Sequence, residues 1–211
     1  MNSHDPSIPF FYYLCIYTPL NTTITYMILS DKTIKEKLNN KEIKITPAPS
    51  TEAQQPSSID LRLGNEYWQM ITQEQVIDPY QNEPKYNIIN ANSIVLPPNS
   101  FILAVTKETI SLPSDLCARL EGRSSIGRLG LQVHITAGFI DAGFKGKIVL
   151  EIKNVSPNSI MLHENMRIAQ LVFEEQTTPC MNPYGACGNK YQGQDGVVGS
   201  LIFYDDDNRK G

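Results

Sequence analysis

Short runs of alternating apolar and polar residues dominate the chain. The clearest are residues 59–63 (IDLRL) and 147–154 (KIVLEIKN), in which every second side chain is apolar. Such alternation predicts strands with one face on a core. Further short strands are predicted at residues 94–96, 101–106, 160–162 and 168–173, the first two joined by a tight turn. Many short strands with glycine, proline and asparagine turns predict a mainly β fold, a barrel or a sandwich.

The two alternating strands assign side chains to faces. In the first, Leu61 and Leu63 are expected to face the core, and Asp60 points away from it. In the second, one face carries Ile148, Leu150 and Ile152, and the other carries Lys147, Val149, Glu151 and Lys153. Glu151 is therefore either a carboxylate held rigidly in a pocket or part of a solvated face. The spacing by itself favours the solvated face.

A short helix and two irregular segments complete the prediction. Ser30 can cap a helix that ends at about Asn39, with Ile34 and Leu38 four residues apart on one face. Residues 45–58 are rich in proline and serine and predict a loop. The tail from about residue 179 to 211 is rich in Gly, Asn, Gln and Tyr, which is typical of a loop that folds over a site.

Length and charge restrict the class of protein. A chain of 211 residues with 41% hydrophobic and 19% charged residues predicts one globular domain. The net charge of -4 gives no general attraction to nucleic acid or an anionic membrane. Four cysteines without C-x-x-C spacing are typical of the reducing cytoplasm.

The first 26 residues differ from the rest of the chain. The apolar run at 8–17 is too short to span a membrane and has no basic residue before it, so it predicts neither a span nor a secretory signal. We interpret residues 1–26 as an unstructured or misassigned extension. Met27 is then the functional start of a domain covering residues 27–211.

Residues 121–151 hold the candidate chemistry. Ser124 and Ser125 begin a predicted helical turn whose N–H groups and hydroxyls can bind an anion, and Arg123 and Arg128 add forked cationic donors. An ordinary capped turn with two surface arginines explains the same pattern equally well. Asp141, close before a glycine, is either a turn former or a carboxylate that accepts a hydrogen bond from a ribose hydroxyl. Together these residues are the inventory of a nucleoside triphosphate site.

A zinc site is not predicted. A zinc deaminase requires H-x-E and P-C-x-x-C motifs. Pro179-Cys180 is followed by Met181, and no H-x-E occurs. The sequence therefore predicts neither zinc nor another metal bound directly by side chains.

Five motifs together resemble the dCTP deaminases, relatives of the trimeric dUTPases. They are MILSD at 27–31, QPSSIDLRLG at 55–64, GRSSIGRLGL at 122–131, TAGFIDAGFKGKIVLE at 136–151 and KYQGQ at 190–194. The resemblance runs from about residue 27 to residue 203. It implies a distorted, jelly-roll-like β-barrel of the dUTPase type with a few short helices. It also implies a homotrimer in which neighbouring subunits share each site.

The resemblance also implies the site residues. Glu151 is the expected proton acceptor and donor, assisted by Ser124, Arg128, the Ala137 carbonyl and Asp141. The nucleotide contacts implied are Arg123, Ser124, Ser125, Ile126, Gly127, Arg128, Asp141, Val149, Leu150, Glu151, Gln170, Tyr184, Lys190, Tyr191 and Gln194. The substrate implied is dCTP, Mg²⁺ is carried on the triphosphate, and dTTP is a candidate feedback inhibitor.

Individual residues help to distinguish the activities that this resemblance allows. A plain dUTPase has an apolar residue ten positions after its motif aspartate, whereas here Glu151 follows Asp141 at that distance. Deamination of dCTP to dUTP is therefore favoured. Gly138, Phe139 and Gln170 resemble bifunctional members that continue to dUMP and diphosphate, and the two outcomes stay open. A regulator without turnover is disfavoured because Glu151 is present.

Overall fold

The structure, a computed structural model, describes residues 27–186 and 188–205. The predicted extension 1–26 lies outside these residues. The helices are α1 (Asp31–Asn39) and α2 (Ser124–Gly127). The strands are β1 (Lys44–Thr46), β2 (Gln54–Gln55), β3 (Ser58–Met70), β4 (Tyr86–Asn90), β5 (Ser93–Leu96), β6 (Phe101–Ser111), β7 (Leu116–Gly122), β8 (Leu131–Gln132), β9 (Phe139–Ile140), β10 (Lys145–Asn154), β11 (Ile160–His163) and β12 (Arg167–Glu175).

One antiparallel sheet of ten strands forms the body of the molecule. Its main path runs β8-β10-β6-β3-β12-β7-β9, with β1 paired to β6 and both β2 and β4 paired to β3. The strands β5 and β11 form a separate pair. The sheet curls like part of a barrel, and the predicted mainly β class with short helices is confirmed.

The main apolar core lies inside the curl of the sheet. It is built from the side chains that alternate inward along the strands, and Phe173, Leu150 and Leu61 are fully buried in it. The helix α1 contributes Ile34 from one face. Burial of this apolar surface is the main stabilisation of the fold.

Most predicted elements are confirmed. The Ser30 side chain caps α1 by accepting from the Thr33 N–H at 3.4 Å, and the helix ends at Asn39 as expected. The strand around Glu151 alternates between buried and half-buried residues along its whole length. The predicted strands at 160–162 and 168–173 lie within β11 and β12, and the serines at 124 and 125 open α2.

Two predictions about local structure are wrong. Residues 45–58 are not one loop, because Ile45 is buried on β1, which pairs with β6. The strands at 94–96 and 101–106 are joined by a tight turn as predicted, in which the Ser100 N–H donates to the Pro97 carbonyl at 3.3 Å, but β5 pairs with β11 and not with β6. Asp60 does not point to solvent: its side chain is 1% exposed and pairs with two arginines. Both faces of this part of β3 are covered, which a strand pattern cannot reveal.

No helix among residues 27–186 and 188–205 has the length and apolar character needed to cross a membrane.

Candidate active site

A cavity of about 440 Å³ opens beside β10 and the tail. Glu151 and Val149 reach it from β10, and Asp141 and Ala137 reach it from the segment between β8 and β10. Its remaining walls include Tyr86, Phe101, Leu103, Phe139, Phe144, Tyr184, Tyr191 and Gln194. The cavity is thus mainly apolar with a few polar groups, which is typical of a site for a small molecule.

The Glu151 carboxylate is held by the backbone. Its Oε2 accepts from the Ile135 N–H at 2.9 Å and the Thr136 N–H at 3.3 Å. The carboxylate is half-buried, and its strand pairs with β6 through Leu103. Two fixed donors on one oxygen orient the group without a cation. Such an arrangement suits a carboxylate that moves protons at a defined position.

Asp141 lies on a tight turn that packs against the tail. The turn is closed by the Phe144 N–H, which donates to the Asp141 carbonyl at 3.2 Å. Gly143 has a φ of +86°, and a Cβ there would lie 2.5 Å from the Cβ of Pro183, so only glycine fits. The Phe144 ring, 5.8 Å from that of Tyr184, is buried beneath the turn. The side chain of Asp141 itself is exposed at the cavity.

The tail folds over the same cavity and is fastened to β10. Lys147 and Gln194 exchange hydrogen bonds, at 2.9 Å from the Lys147 N–H and at 2.7 Å from the Gln194 side-chain amide. Lys147 also pairs with Asp195 at 3.0 Å. Farther along the tail, Val197 is buried among Leu103, Val105 and the partly buried Trp68 and Tyr86. The predicted location of the tail over a site is consistent with this docking.

Two tyrosines at the cavity are kept neutral by their surroundings. Burial raises the pKa of the Tyr184 phenol above its usual value, and burial raises the pKa of Tyr86 in the same direction. Both hydroxyls therefore stay protonated well above neutral pH. The Tyr184 oxygen accepts from the Tyr191 N–H at 3.4 Å, which links the beginning of the tail to its middle.

The structure separates the predicted phosphate segment from this cavity. None of the residues 123–128 lines the cavity. Ser124, Ser125 and Arg128 are exposed on α2, whereas the Ile126 side chain is packed in the core. Nearness in sequence does not bring the two groups together, because α2 is followed by β8, which pairs with the far end of β10 at Lys153 and Asn154.

Three other predicted contacts also lie away from the cavity. The Leu150 side chain is on the core face of β10 and is fully buried, and its predicted contact with the base stays a prediction. Gln170 lies on β12, where its amide donates to the Gly122 carbonyl at 3.4 Å. Lys190 pairs with Asp205 within the tail.

Sequence reasoning missed the aromatic and apolar wall of the cavity. Tyr86 and Met70 lie at the two sides of a long loop from Ile71 to Lys85, and Phe101 begins β6. No periodicity marked residues 67–86, so nothing in the sequence placed them at the site. Phe101 belonged to a predicted strand, but a pattern cannot say which outer face closes a pocket.

Metal ligands are not grouped in the described part of the chain. Among residues 27–186 and 188–205, no set of three or more His, Cys, Asp and Glu side chains could hold a metal ion.

The chain is similar to proteins of one family. The family model described as dCTP deaminase-like matches residues 28–176. A protein of Methanobrevibacter smithii named "dCTP deaminase, dUMP-forming" is 44% identical over 165 residues, 75% of this chain and 85% of the relative. A protein of Natronomonas pharaonis named "dCTP deaminase" is 42% identical over 187 residues, 83% of this chain and 95% of the relative.

A solved structure supports the same assignment at the level of the fold. The 2'-deoxycytidine 5'-triphosphate deaminase of Agrobacterium tumefaciens superposes with a TM-score of 0.56 and is 24% identical. The superposition covers 72% of this chain and 48% of that one. Since the family model matches well over half of the residues, the chain belongs to the dCTP deaminase-like family.

Proposed function

We propose that the protein is a dCTP deaminase, which converts dCTP and water to dUTP and ammonia. The observation that carries the proposal is the carboxylate of Glu151, fixed by two backbone N–H groups inside a mainly apolar cavity. Cytosine is a flat, largely apolar ring with one amine to be replaced. A cavity with one oriented carboxylate matches that requirement.

In the proposed reaction Glu151 handles the protons. Both backbone donors bind Oε2, so we assign Oε1 to the attacking water. The carboxylate takes one proton as the water oxygen bonds to C4 of the cytosine ring. The electron pair of the C4–N3 double bond moves to N3 during this attack. Glu151 returns the proton to the exocyclic nitrogen, the C4–N bond to that nitrogen breaks, and ammonia leaves. The C4 hydroxyl then passes its proton to N3, and the C4 carbonyl forms. We assign the Ala137 carbonyl as the acceptor of a hydrogen bond from the water or the amine, because Ala137 lines the cavity.

The remaining groups hold the nucleotide. Asp141 is exposed at the cavity and would accept a hydrogen bond from the sugar 3′-hydroxyl. Tyr184, Tyr191 and Gln194 would cover the nucleotide from the tail, while Val149 packs against the base. A Mg²⁺ ion would be carried on the phosphates of the nucleotide. We further propose dTTP as a feedback inhibitor at this site and the cytoplasm as the location.

A homotrimer with shared sites is proposed because one chain leaves Ser124 and Arg128 outside the cavity. Both side chains are exposed on α2 and are free to reach the cavity of a neighbouring copy. We expect Glu151→Gln and Arg128→Ala each to be nearly inactive as pure trimers. Trimers that mix the two should regain activity, since some sites then combine an intact Glu151 with an intact Arg128.

The mixing experiment has a defined outcome. When each site takes one residue from each of two copies, random assembly at equal amounts gives about one quarter of wild-type activity over the whole population, and about one third in the mixed trimers alone. Co-expression with two affinity tags isolates the mixed trimers, and each variant mixed with itself is the control. Mixed trimers as inactive as the pure variants would place Glu151 and Arg128 in sites that are not shared.

A second outcome, release of dUMP and diphosphate, is favoured by the names of similar proteins. Relatives 44% and 42% identical carry the name "dCTP deaminase, dUMP-forming".

The product assay tests both outcomes. With purified protein and dCTP, we expect ammonia in a 1:1 ratio to dCTP consumed. Diphosphate released in the same ratio would mean the bifunctional reaction, and ammonia without diphosphate would mean that dUTP is the product. A preparation that binds dCTP but releases neither would contradict the proposal. The Glu151→Gln variant controls for contaminating deaminase.

A further inference from the structure

A buried acidic residue joins two arginines beside the predicted phosphate segment. The side chain of Asp60 on β3 is 1% exposed. Its Oδ2 lies 3.1 Å from Nε of Arg123 and 3.0 Å from Nη1 of Arg167. The Arg123 Nη1 also donates to the Arg167 carbonyl at 2.9 Å, and the Arg167 Nη1 donates to the Glu52 carbonyl at 2.6 Å.

The strand register explains why Asp60 reaches this position. On β12, Gln170 lies opposite Asp60 of β3 on one side and opposite Glu121 of β7 on the other. Asp60, Gln170 and Glu121 thus lie in one row across the three strands. Glu121 is near the end of β7, two residues before Arg123. Arg123 leads directly into α2, which carries the exposed Ser124, Ser125 and Arg128. The Asp60 carboxylate therefore contacts the first residue of the 123–128 segment.

The charges of the group leave one cation in excess. Two guanidinium groups share one carboxylate, so the group carries a net charge of +1. Arg123 and Arg167 are 22% and 39% exposed, so part of each guanidinium faces solvent. If the Asp60 carboxylate were removed, the two positively charged guanidinium groups would remain close together and would repel each other.

We propose that Asp60 is a positioning residue for triphosphate binding: it fixes the Arg123 guanidinium and with it the start of the 123–128 segment. This inference rests on the proposed function, since it assumes a triphosphate substrate. Asp60 does not touch the nucleotide; it acts through Arg123, whose planar fork binds phosphate oxygens in a defined direction.

The proposal gives a prediction opposite in sign to simple electrostatics. Asp60→Asn removes a negative charge near a site for an anion, so long-range attraction alone would tighten triphosphate binding. Loss of the fixed guanidinium has the reverse effect, because a charge-assisted hydrogen bond is lost or misdirected. We expect the second effect to dominate. The KM for dCTP should rise about tenfold, and kcat should stay within about threefold of wild type.

The experiment compares Asp60→Asn with Glu108→Gln. Glu108 is also a buried carboxylate, and it accepts from Nε of Arg62 at 2.7 Å, but it does not line the cavity. Both variants lose a buried ion pair, and only one of them borders the 123–128 segment. Steady-state kinetics with dCTP give kcat and KM. Calorimetry with inorganic triphosphate gives a binding constant that does not depend on turnover.

The outcomes are distinct. Higher KM and weaker inorganic triphosphate binding in Asp60→Asn, with neither change in Glu108→Gln, supports the proposal. Unchanged or tighter binding in Asp60→Asn, or equal weakening in both variants, overturns it. If Asp60→Asn does not fold, Arg123→Lys replaces it and is expected to show the same rise in KM. A wild-type protein without turnover would refute the proposed function, while calorimetry still decides the role of Asp60.

Discussion

Glu151→Gln is expected to lower kcat for ammonia release from dCTP by about 10³-fold, within the range that a general acid–base group contributes. The glutamine side chain keeps an oxygen that can accept from the Ile135 and Thr136 N–H groups, so the geometry of the cavity is preserved. An amide cannot take a proton from water at neutral pH. Ammonia release in single-turnover experiments measures the chemical step, and calorimetry with dCTP measures binding, which should change by less than about threefold.

Glu164→Gln is the matched control for this experiment. Glu164 follows β11, is half-buried and pairs with Lys107 at 3.7 Å, and it does not line the cavity. Its neutralisation should leave both kcat and dCTP binding near wild type. A Glu151→Gln protein that retains a tenth or more of wild-type kcat would show that another group moves the protons.

Leu150→Ala is expected to affect mainly the stability of the protein, whereas Val149→Ala is expected to affect mainly the KM for dCTP, although the two residues are adjacent. Leu150 is fully buried in the core, so its truncation should lower the free energy of unfolding by about 3 kcal/mol. Val149 is half-buried and lines the cavity, so its truncation should cost about 1 kcal/mol of stability. The same Val149→Ala change should raise the KM for dCTP severalfold, because the base loses a packing surface.

Two measurements distinguish these effects. Urea denaturation gives the free energy of unfolding for each variant, and kinetics at a temperature where both are folded give KM. Leu150→Ala should keep the wild-type KM once the folded fraction is taken into account. A larger rise in KM for Leu150→Ala than for Val149→Ala would mean that β10 presents its other face to the base.

The strands could be predicted where each has one solvent-facing and one buried face. The residues of β10 alternate without interruption, and its sequence was sufficient to put Glu151 and Leu150 on different faces. The predicted contact of Leu150 with the base came from the resemblance and disregarded this alternation. The prediction that Asp60 points away from the core towards solvent was wrong, because both sides of β3 are covered there. The arginines that neutralise its charge lie more than sixty residues away in the sequence.

The site could be predicted only residue by residue, because its assembly depends on tertiary pairing. Glu151, Asp141 and Ala137 do share a cavity. The loop before β4 and the start of β6 close that cavity, and neither carries a local signal for binding. The separation of α2 from the cavity follows from the pairing of β8 with the end of β10. Long-range register of this kind is not encoded in any single window of sequence.

Trp68 lies next to the docked tail, so its fluorescence is expected to depend on whether the tail is in place. It is the chain's sole tryptophan. Its indole Nε1 donates to Glu66 at 2.8 Å, and its ring lies 5.4 Å from that of Tyr86, next to the place where Val197 is buried. Release of the tail from β10 would expose this indole to water. We therefore expect the fluorescence of the unlabelled protein to report such a release, without interference from a second tryptophan.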